Sequence, residues 1–400
     1  MAAKTIQRRI WGYMGLYRWV VRPLLFHLDA ERSHGATLAV CQRFGDLALV
    51  RTALARRFCC SDSRLRIAVA GIPFPSPVGL AAGFDKNAQA LEITSRLGFG
   101  LLEIGSVSEH PSAGNLGRPR VWRLESDESL RIHYGCPNDG AEAVAARMRH
   151  RRITIPLGVN LVETNTGVTS SAEHVITELS QAITHFVGIA DYITLNLSCP
   201  NMPQGSQGHF DDPAMLTLLL EECARHNELP PIFLKVAPPG NPEDPRVIDS
   251  ILEAVDPFPF VKGFILNIHN RTPHAMLRTP AAKLDRMRGQ ITGPSLRGPV
   301  NAAIRSWYRR IDRARHSLIG VGGIASAEDA YETIRLGASL VQLYTALVYK
   351  GPGLIKCIND GLCHLLDREG LQNISDAVGI DNRGNAKRSN AATRFAVTEA

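Results

Sequence analysis

The sequence lacks the features that define several common classes. None of its eight cysteines forms a CxxC pair or stands at metal-ligand spacing from a histidine, and Cys59 and Cys60 are merely adjacent. That excludes a structural zinc site and fits a reducing compartment. Aromatics make up only 6% of the chain, and no nucleic-acid-binding motif occurs. The amino-terminal stretch IWGYMGLYRWVVRPLLFHL (10–28) is interrupted by Arg18 and Arg22. Arginine falls there too often for a bilayer span of about 20 apolar residues. The stretch also lacks the unbroken apolar centre and small-residue cleavage site of a signal peptide.

What is present fits an ordinary soluble core. The 400 residues are 44% hydrophobic and 21% charged, enough for one large domain with appendages. The charge is unevenly placed. Residues 1–60 hold ten Lys and Arg against Asp29, Glu31 and Asp46, a net of +7, which is also the net charge of the whole chain. A basic front on a neutral body points to an anionic surface as partner. Trp11, Tyr13, Leu16, Trp19, Val20, Leu24 and Phe26 interleave with arginine there, as in an interfacial helix lying on a bilayer. A helix docked on the body explains the same pattern, and both can hold at once.

Residues 1–60 read as helical, with a helix beginning near Asp29. Residues 64–71 and their neighbours read as a short hairpin with its turn at Gly71-Ile72-Pro73. Eight apolar runs of strand length follow: 77–83, 101–107, 156–162, 192–198, 231–237, 263–269, 318–324 and 340–346. Helical spacing lies between them at 88–97, 172–187, 212–226, 246–255, 301–314 and 327–336. Continuous apolar strands alternating with helices predict a parallel sheet. Eight repeats predict a closed (β/α)8 TIM barrel, with an open doubly wound sheet as the alternative. The expected division is a helical membrane-associating segment at 1–60, a barrel at 61–380 and a disordered polar tail at 381–400. Two long connections, 108–155 and 270–300, are expected to act as lids.

Chemistry is expected where the strands end. The segment LNLSCPN (195–201) clusters polar side chains at such an end, with Cys199 as candidate base or nucleophile. The competing reading of Cys199 is a small buried hydrophobe. Lys86, Ser106, Asn160, Asn196, Lys235, Asn267 and His269 sit in or just after other strands. Lys235 interrupts the apolar run FLKVA, and a buried ammonium is costly without an anion. It therefore calls for an anionic partner in the barrel mouth, or it serves Schiff-base chemistry. GVGGIAS (320–326) and Tyr344-Thr345 follow the last two strands, where such barrels usually grip phosphate. Phosphate at that place, a central lysine and an amide-rich mouth together suit flavin mononucleotide, FMN.

The chain resembles the dihydroorotate dehydrogenases, in their quinone-linked, membrane-associated branch. The motifs that carry the resemblance are LLFHLDAERSH, SPVGLAAGFDKNA, GFGLLEIGSV, GNLGRPRVWRL, PLGVNL, DYITLNLSCPN, LKVAP, LIGVGGIAS and GASLVQLYTALVYKGP, in one order from about Tyr17 to Gly379. The resemblance implies an FMN site at Ala81, Ala82, Gly83, Ser106, Asn160, Asn196, Lys235, Asn267, Gly322, Gly323, Tyr344 and Thr345. The turn from Ser295 to Gly298 would be a further cofactor contact. Cys199 would be the base; Lys86, Asn196 and Asn201 would face substrate. The amino-terminal helices would form a quinone tunnel with His34 and Arg123. It also implies a peripheral protein of a bacterial inner membrane on its cytoplasmic face, or of the mitochondrial inner membrane.

Several positions depart from the family pattern. The quinone-linked branch normally uses serine as base, whereas cysteine is the habit of the soluble branch. Two asparagines that grip the pyrimidine ring fall on Ile132 and Ile268, with His269 as a new ionisable neighbour. GKNK reads Val162-Glu163-Thr164-Asn165, and YGFN reads Tyr134-Gly135-Cys136-Pro137. The FMN set is kept and the orotate set is thinned. The expected activity is FMN-dependent oxidation of dihydroorotate with electrons passed to quinone. The alternatives are a different small substrate, a flavin-binding pseudoenzyme at the membrane, and a Schiff-base aldolase.

Overall fold

A computed structural model gives the fold and describes residues 15–202, 206–237, 241–268 and 276–382. Trp11, Tyr13, His269 and the tail beyond Asn382 lie outside the described residues. The chain opens as helix. A π-helical turn, Tyr17–Val21, runs into α1 (Arg22–His27), then α2 (Ala30–Gly45) and α3 (Ala48–Phe58). Asp29 separates α1 from α2 because its carboxylate accepts the N–H groups of Glu31 and Arg32, the donors a helix start leaves without partners.

Thirteen strands follow among the described residues. The first seven are β1 (Ile67–Val69), β2 (Ile72–Phe74), β3 (Val78–Leu80), β4 (Leu101–Val107), β5 (Val121–Leu124), β6 (Ser129–Ile132) and β7 (Leu157–Leu161). The others are β8 (Tyr192–Asn196), β9 (Ile232–Val236), β10 (Val261–Leu266), β11 (Gln290–Thr292), β12 (Ser317–Val321) and β13 (Ala338–Leu343). β1 and β2 form the expected hairpin, but its turn is one step early. Ala70 and Gly71 take the positive φ values of 53° and 78° that a tight hairpin turn demands. Ile72 and Pro73 already lie in β2.

The eight apolar runs become a closed parallel barrel in the order β3-β4-β7-β8-β9-β10-β12-β13, which settles the choice against an open sheet. The fold is a TIM barrel with amino-terminal helices. Its strands are buried on both faces (β4, β7, β8 and β9 throughout), which is why they read as continuous rather than alternating runs. Large side chains such as Trp307 and Phe264, with rings 4.8 Å apart, fill the space between barrel and helices. Burying each such side chain contributes about 1.5–3 kcal/mol.

Both long connections carry short strands among the described residues. They supply an antiparallel sheet in the order β11-β6-β5, with Ile132 paired to both Gln290 and Val121. Strands of three or four residues are too short for their period to be read from sequence. The helix expected at 88–97 contracts to Leu91–Thr94. The buried Asp85 carboxylate accepts the N–H groups of Asn87, Gln89 and Ala90, and so holds the preceding residues in a loop.

Candidate active site

The parallel register places polar side chains at one level of the barrel. Asn196 in β8 pairs with Lys235 in β9, and Asn160 in β7 pairs with Gly105, next to Ser106. A polar network joins them. Ser106 Oγ and Asn196 Nδ2 both donate to Asn160 Oδ1, and Asn196 Nδ2 also reaches Ser106 Oγ at 3.0 Å. Asn160 Nδ2 donates at 2.9 Å to Glu103, whose carboxylate also accepts from Tyr192 Oη and Gln342 Nε2. Glu103 is 1% exposed, and a buried carboxylate is sustained by such donors. Sequence reasoning missed Glu103, Tyr192 and Gln342. The signal was available, because Glu103 interrupts the apolar run LLEIGSV just as Lys235 interrupts FLKVA.

Above this network opens a cavity walled by Ala81, Ala82, Gly83, Lys86, Ser106, Asn196, Cys199, Asn201, Lys235, Asn267, Gly322, Gly323, Tyr344 and Thr345, and by Ile132, Tyr134 and Cys136. Most of the residues singled out in the sequence thus meet at one place. Asn160 lies behind the wall and orients Ser106 and Asn196. Ile268 is 2% exposed and packs in the main hydrophobic core, off the cavity wall. Gly293, Pro294 and Leu296 line the cavity where Ser295 and Gly298 were expected.

The loop after β8 is pinned to β9: Leu197 N and Ser198 Oγ both donate to the Lys235 carbonyl. This pinning presents Cys199, half-buried, to the cavity. Its Sγ lies 3.3 Å from Cys136 Sγ. That contact, the Asn201 N–H and the Lys235 charge hold the Cys199 thiol below its ordinary range, against burial and Glu163. Lys86 donates to the Gly83 carbonyl at 2.8 Å, and its Nζ stands 4.4 Å from the centre of the Tyr134 ring. Desolvation pulls Lys86 down to about 8.

A second, apolar cavity of about 560 Å³ lies between the amino-terminal helices and the barrel. His34 and Arg123 both line it, as do Phe84, Val40 and Leu25. Burial first, then the Lys86 charge, pushes His34 down to about 3, so it stays a neutral imidazole. Arg123 is committed to structure: it donates to the carbonyls of Leu25, Phe26 and Leu28 and to Ser33 Oγ. Tyr134 and Tyr344 line both cavities.

A barrel with this pair of cavities has known relatives. The dihydroorotate dehydrogenase family model matches residues 64–366. The chain belongs to the dihydroorotate dehydrogenase family. It is 36% identical over 375 residues to a dihydroorotate dehydrogenase (quinone) of Deinococcus deserti, covering 92% of this chain and all of that one. An Acidithiobacillus ferrooxidans enzyme of the same name is 35% identical over 372 residues, covering 90% of this chain and 98% of its own. The crystal structure of DHODH from Eimeria tenella in complex with ferulenol superposes with a TM-score of 0.73 at 25% identity, covering 88% of this chain and 96% of that one.

Enzymes of this family are flavoproteins, and the residues present fit a flavin. Asn196 Oδ1, Asn201 Oδ1, Asn267 Oδ1 and Gln342 Oε1 are buried with no hydrogen-bond partner among the described residues. Such atoms are costly unless a bound group completes them. Lys235 is 5% exposed and forms no salt bridge among the described residues. Gly323 has φ +78°, and a Cβ there would stand 2.5 Å from Arg297 N. Only glycine allows this left-handed backbone, which lines the cavity, to pass so close to Arg297.

Proposed function

We propose that this chain is an FMN-dependent dihydroorotate dehydrogenase that passes electrons to a quinone. The observation that carries the reading is the shared wall: a polar cavity holding Cys199 and Lys86 and an apolar cavity under the amino-terminal helices meet at Tyr134 and Tyr344. One side suits a small anionic substrate, the other an apolar acceptor.

Ala81, Ala82, Gly83, Ser106, Asn196, Lys235, Asn267, Gly322, Gly323, Tyr344 and Thr345 would hold FMN. When bound, it supplies hydride acceptance and onward electron transfer. The chain's own residues do the rest. Lys86 and Asn201 bind and orient the substrate, Lys86 as a cation against its carboxylate. Cys199 Sγ takes the substrate's proton as the CH–CH bond is oxidised. Lys235 keeps positive charge in the barrel mouth, where negative charge accumulates. His34, neutral throughout the working pH range, faces the acceptor side without adding charge.

The amino-terminal helices expose Leu16, Trp19, Val20 and Leu24, and Val40 and Phe44 further along. Among the described residues no helix is long and apolar enough to cross a membrane. This exposed apolar face beside basic residues supports peripheral attachment to an anionic membrane, in a bacterium the cytoplasmic face of the inner membrane. Anaerobic mixing with dihydroorotate tests the function. Flavin bleaching, and its recovery on adding a quinone, is the expected result; a flavin that stays oxidised ends the reading. A specific observation favours a second reading. Ile132 stands on the cavity wall where the family's pattern has asparagine, which suits a substrate less polar on that side.

A further inference from the structure

Two cysteines, Cys136 and Cys199, lie 63 residues apart in sequence and meet in space. Their sulfurs are 3.3 Å apart, within reach of an S–H···S hydrogen bond. Cys136 is 8% exposed and holds a left-handed backbone, φ +54°, which non-glycine residues adopt only when their surroundings impose it. Those surroundings are specific. Asn138 Nδ2 donates to the Cys136 carbonyl at 2.9 Å and to Ser108 Oγ at 2.8 Å. Asn165 Nδ2 donates to the Gly135 carbonyl. The loop is thus held in a form that aims the Cys136 thiol at Cys199.

Resting on the assignment of Cys199 as base, we propose that Cys136 is its positioning residue: the Cys136 S–H donates to Cys199 Sγ and holds that sulfur as the proton-accepting thiolate.

The direction of the hydrogen bond follows from what else each sulfur meets. Cys199 is also influenced by the nearby Asn201 N–H and by the Lys235 charge, with Glu163 opposing. Cys136 faces the charges of Lys86 and Lys235. It is buried with Val162 and Met202, whereas Cys199, packed against the same cluster, is only half-buried and leaves a charge better hydrated. Negative charge is therefore better placed on Cys199, and the proton on Cys136. Burial and the Cys199 contact push Cys136 up while Cys199 goes down, in line with that order.

The test uses the full-length, FMN-loaded protein. The rate of iodoacetamide alkylation of Cys199, read by mass spectrometry, is followed against pH in the unaltered chain, Cys136→Ala and Cys136→Ser. A hydrogen bond to a charged acceptor corresponds to about one to two pH units in the midpoint. Cys136→Ala should raise the Cys199 midpoint by about that much, and Cys136→Ser, which keeps a donor, should recover part of it. The rising limb of the flavin-reduction profile should move with it, so that Cys136→Ala is slow at neutral pH and recovers in alkali. An unchanged midpoint in both variants, with flavin content retained, overturns the proposal. A shifted midpoint with an unmoved flavin-reduction profile would instead refute Cys199 as base and leave the thiol pair standing.

Discussion

Arg123 holds its guanidinium 4.4 Å from the centre of the Phe26 ring and donates to the carbonyls that end α1. One side chain from β5 thereby fastens the amino-terminal helices to the body. Charged hydrogen bonds of this kind contribute about 1.5–3 kcal/mol. Arg123→Ala should raise hydrogen exchange in residues 17–45 and slow quinone reduction, while substrate-driven flavin reduction stays near normal. Unchanged exchange in that segment would show that the helices are held by packing alone.

Lys86 is the proposed partner of the substrate carboxylate, and desolvation pulls it down to about 8, below the usual lysine range. It is an ammonium below that pH and a neutral amine above it. The KM for dihydroorotate should therefore climb above pH 8, approaching about tenfold per unit. The sign for stability is opposite: burial penalises the ammonium fully below pH 8, and the penalty fades as pH rises toward the unfolded value. Lys86→Met should raise the melting temperature at pH 7 and abolish the KM trend. A KM that stays flat between pH 7 and 9.5 would remove Lys86 from the carboxylate's side.

Cys199→Ala should retain its yellow colour and reduce flavin about 10²–10⁴ times more slowly, the usual share of a positioned acid–base group. Cys199→Ser should keep part of the activity with a profile moved to higher pH, a hydroxyl being a much weaker acid than a thiol. Stopped-flow reduction at several pH values separates these outcomes. Normal rates in the alanine variant would make Cys199 a packing residue.

The two isoleucines at the family's asparagine positions should behave differently. Ile132 is half-buried on the cavity wall and is the last residue of β6. Ile132→Asn adds an amide facing the substrate and should improve dihydroorotate kcat/KM by about tenfold or more, a polar match being worth about 1–3 kcal/mol. Ile268 is buried in the main core. Ile268→Asn should cost about 2–5 kcal/mol of stability, measured by denaturant titration, without helping turnover. Better turnover from Ile268→Asn alone would reverse this assignment.

The barrel was legible because eight strands buried on both faces leave unbroken apolar runs, and run 101–107 coincides with β4. Lys235 was legible for the complementary reason, a charge where none is cheap. The small sheet of β5, β6 and β11 was not legible, since residues 160 positions apart pair across strands only three or four residues long. The contact between Cys136 and Cys199 was equally hidden. Each cysteine stood out against the family pattern, but nothing local encodes their meeting. Only the left-handed bend at Gly135 and Cys136 brings them together, and a left-handed cysteine has no sequence signal. Ile268 shows the reverse case: matching a motif placed it beside the substrate, whereas the chain just past β10 buries it in the main core.

The wall that Tyr134 and Tyr344 form between the two cavities has a consequence for steady-state behaviour. On the proposed assignment of the two cavities, dihydroorotate and quinone occupy separate volumes, and neither must leave before the other enters. An inhibitor lodged against His34 slows only reoxidation of the flavin, so it should lower the maximal rate and the apparent KM for dihydroorotate by the same factor. A carboxylate analogue beside Lys86 should do the same to the quinone. Double-inhibition plots should intersect rather than run parallel, because one molecule of each inhibitor fits on the enzyme together.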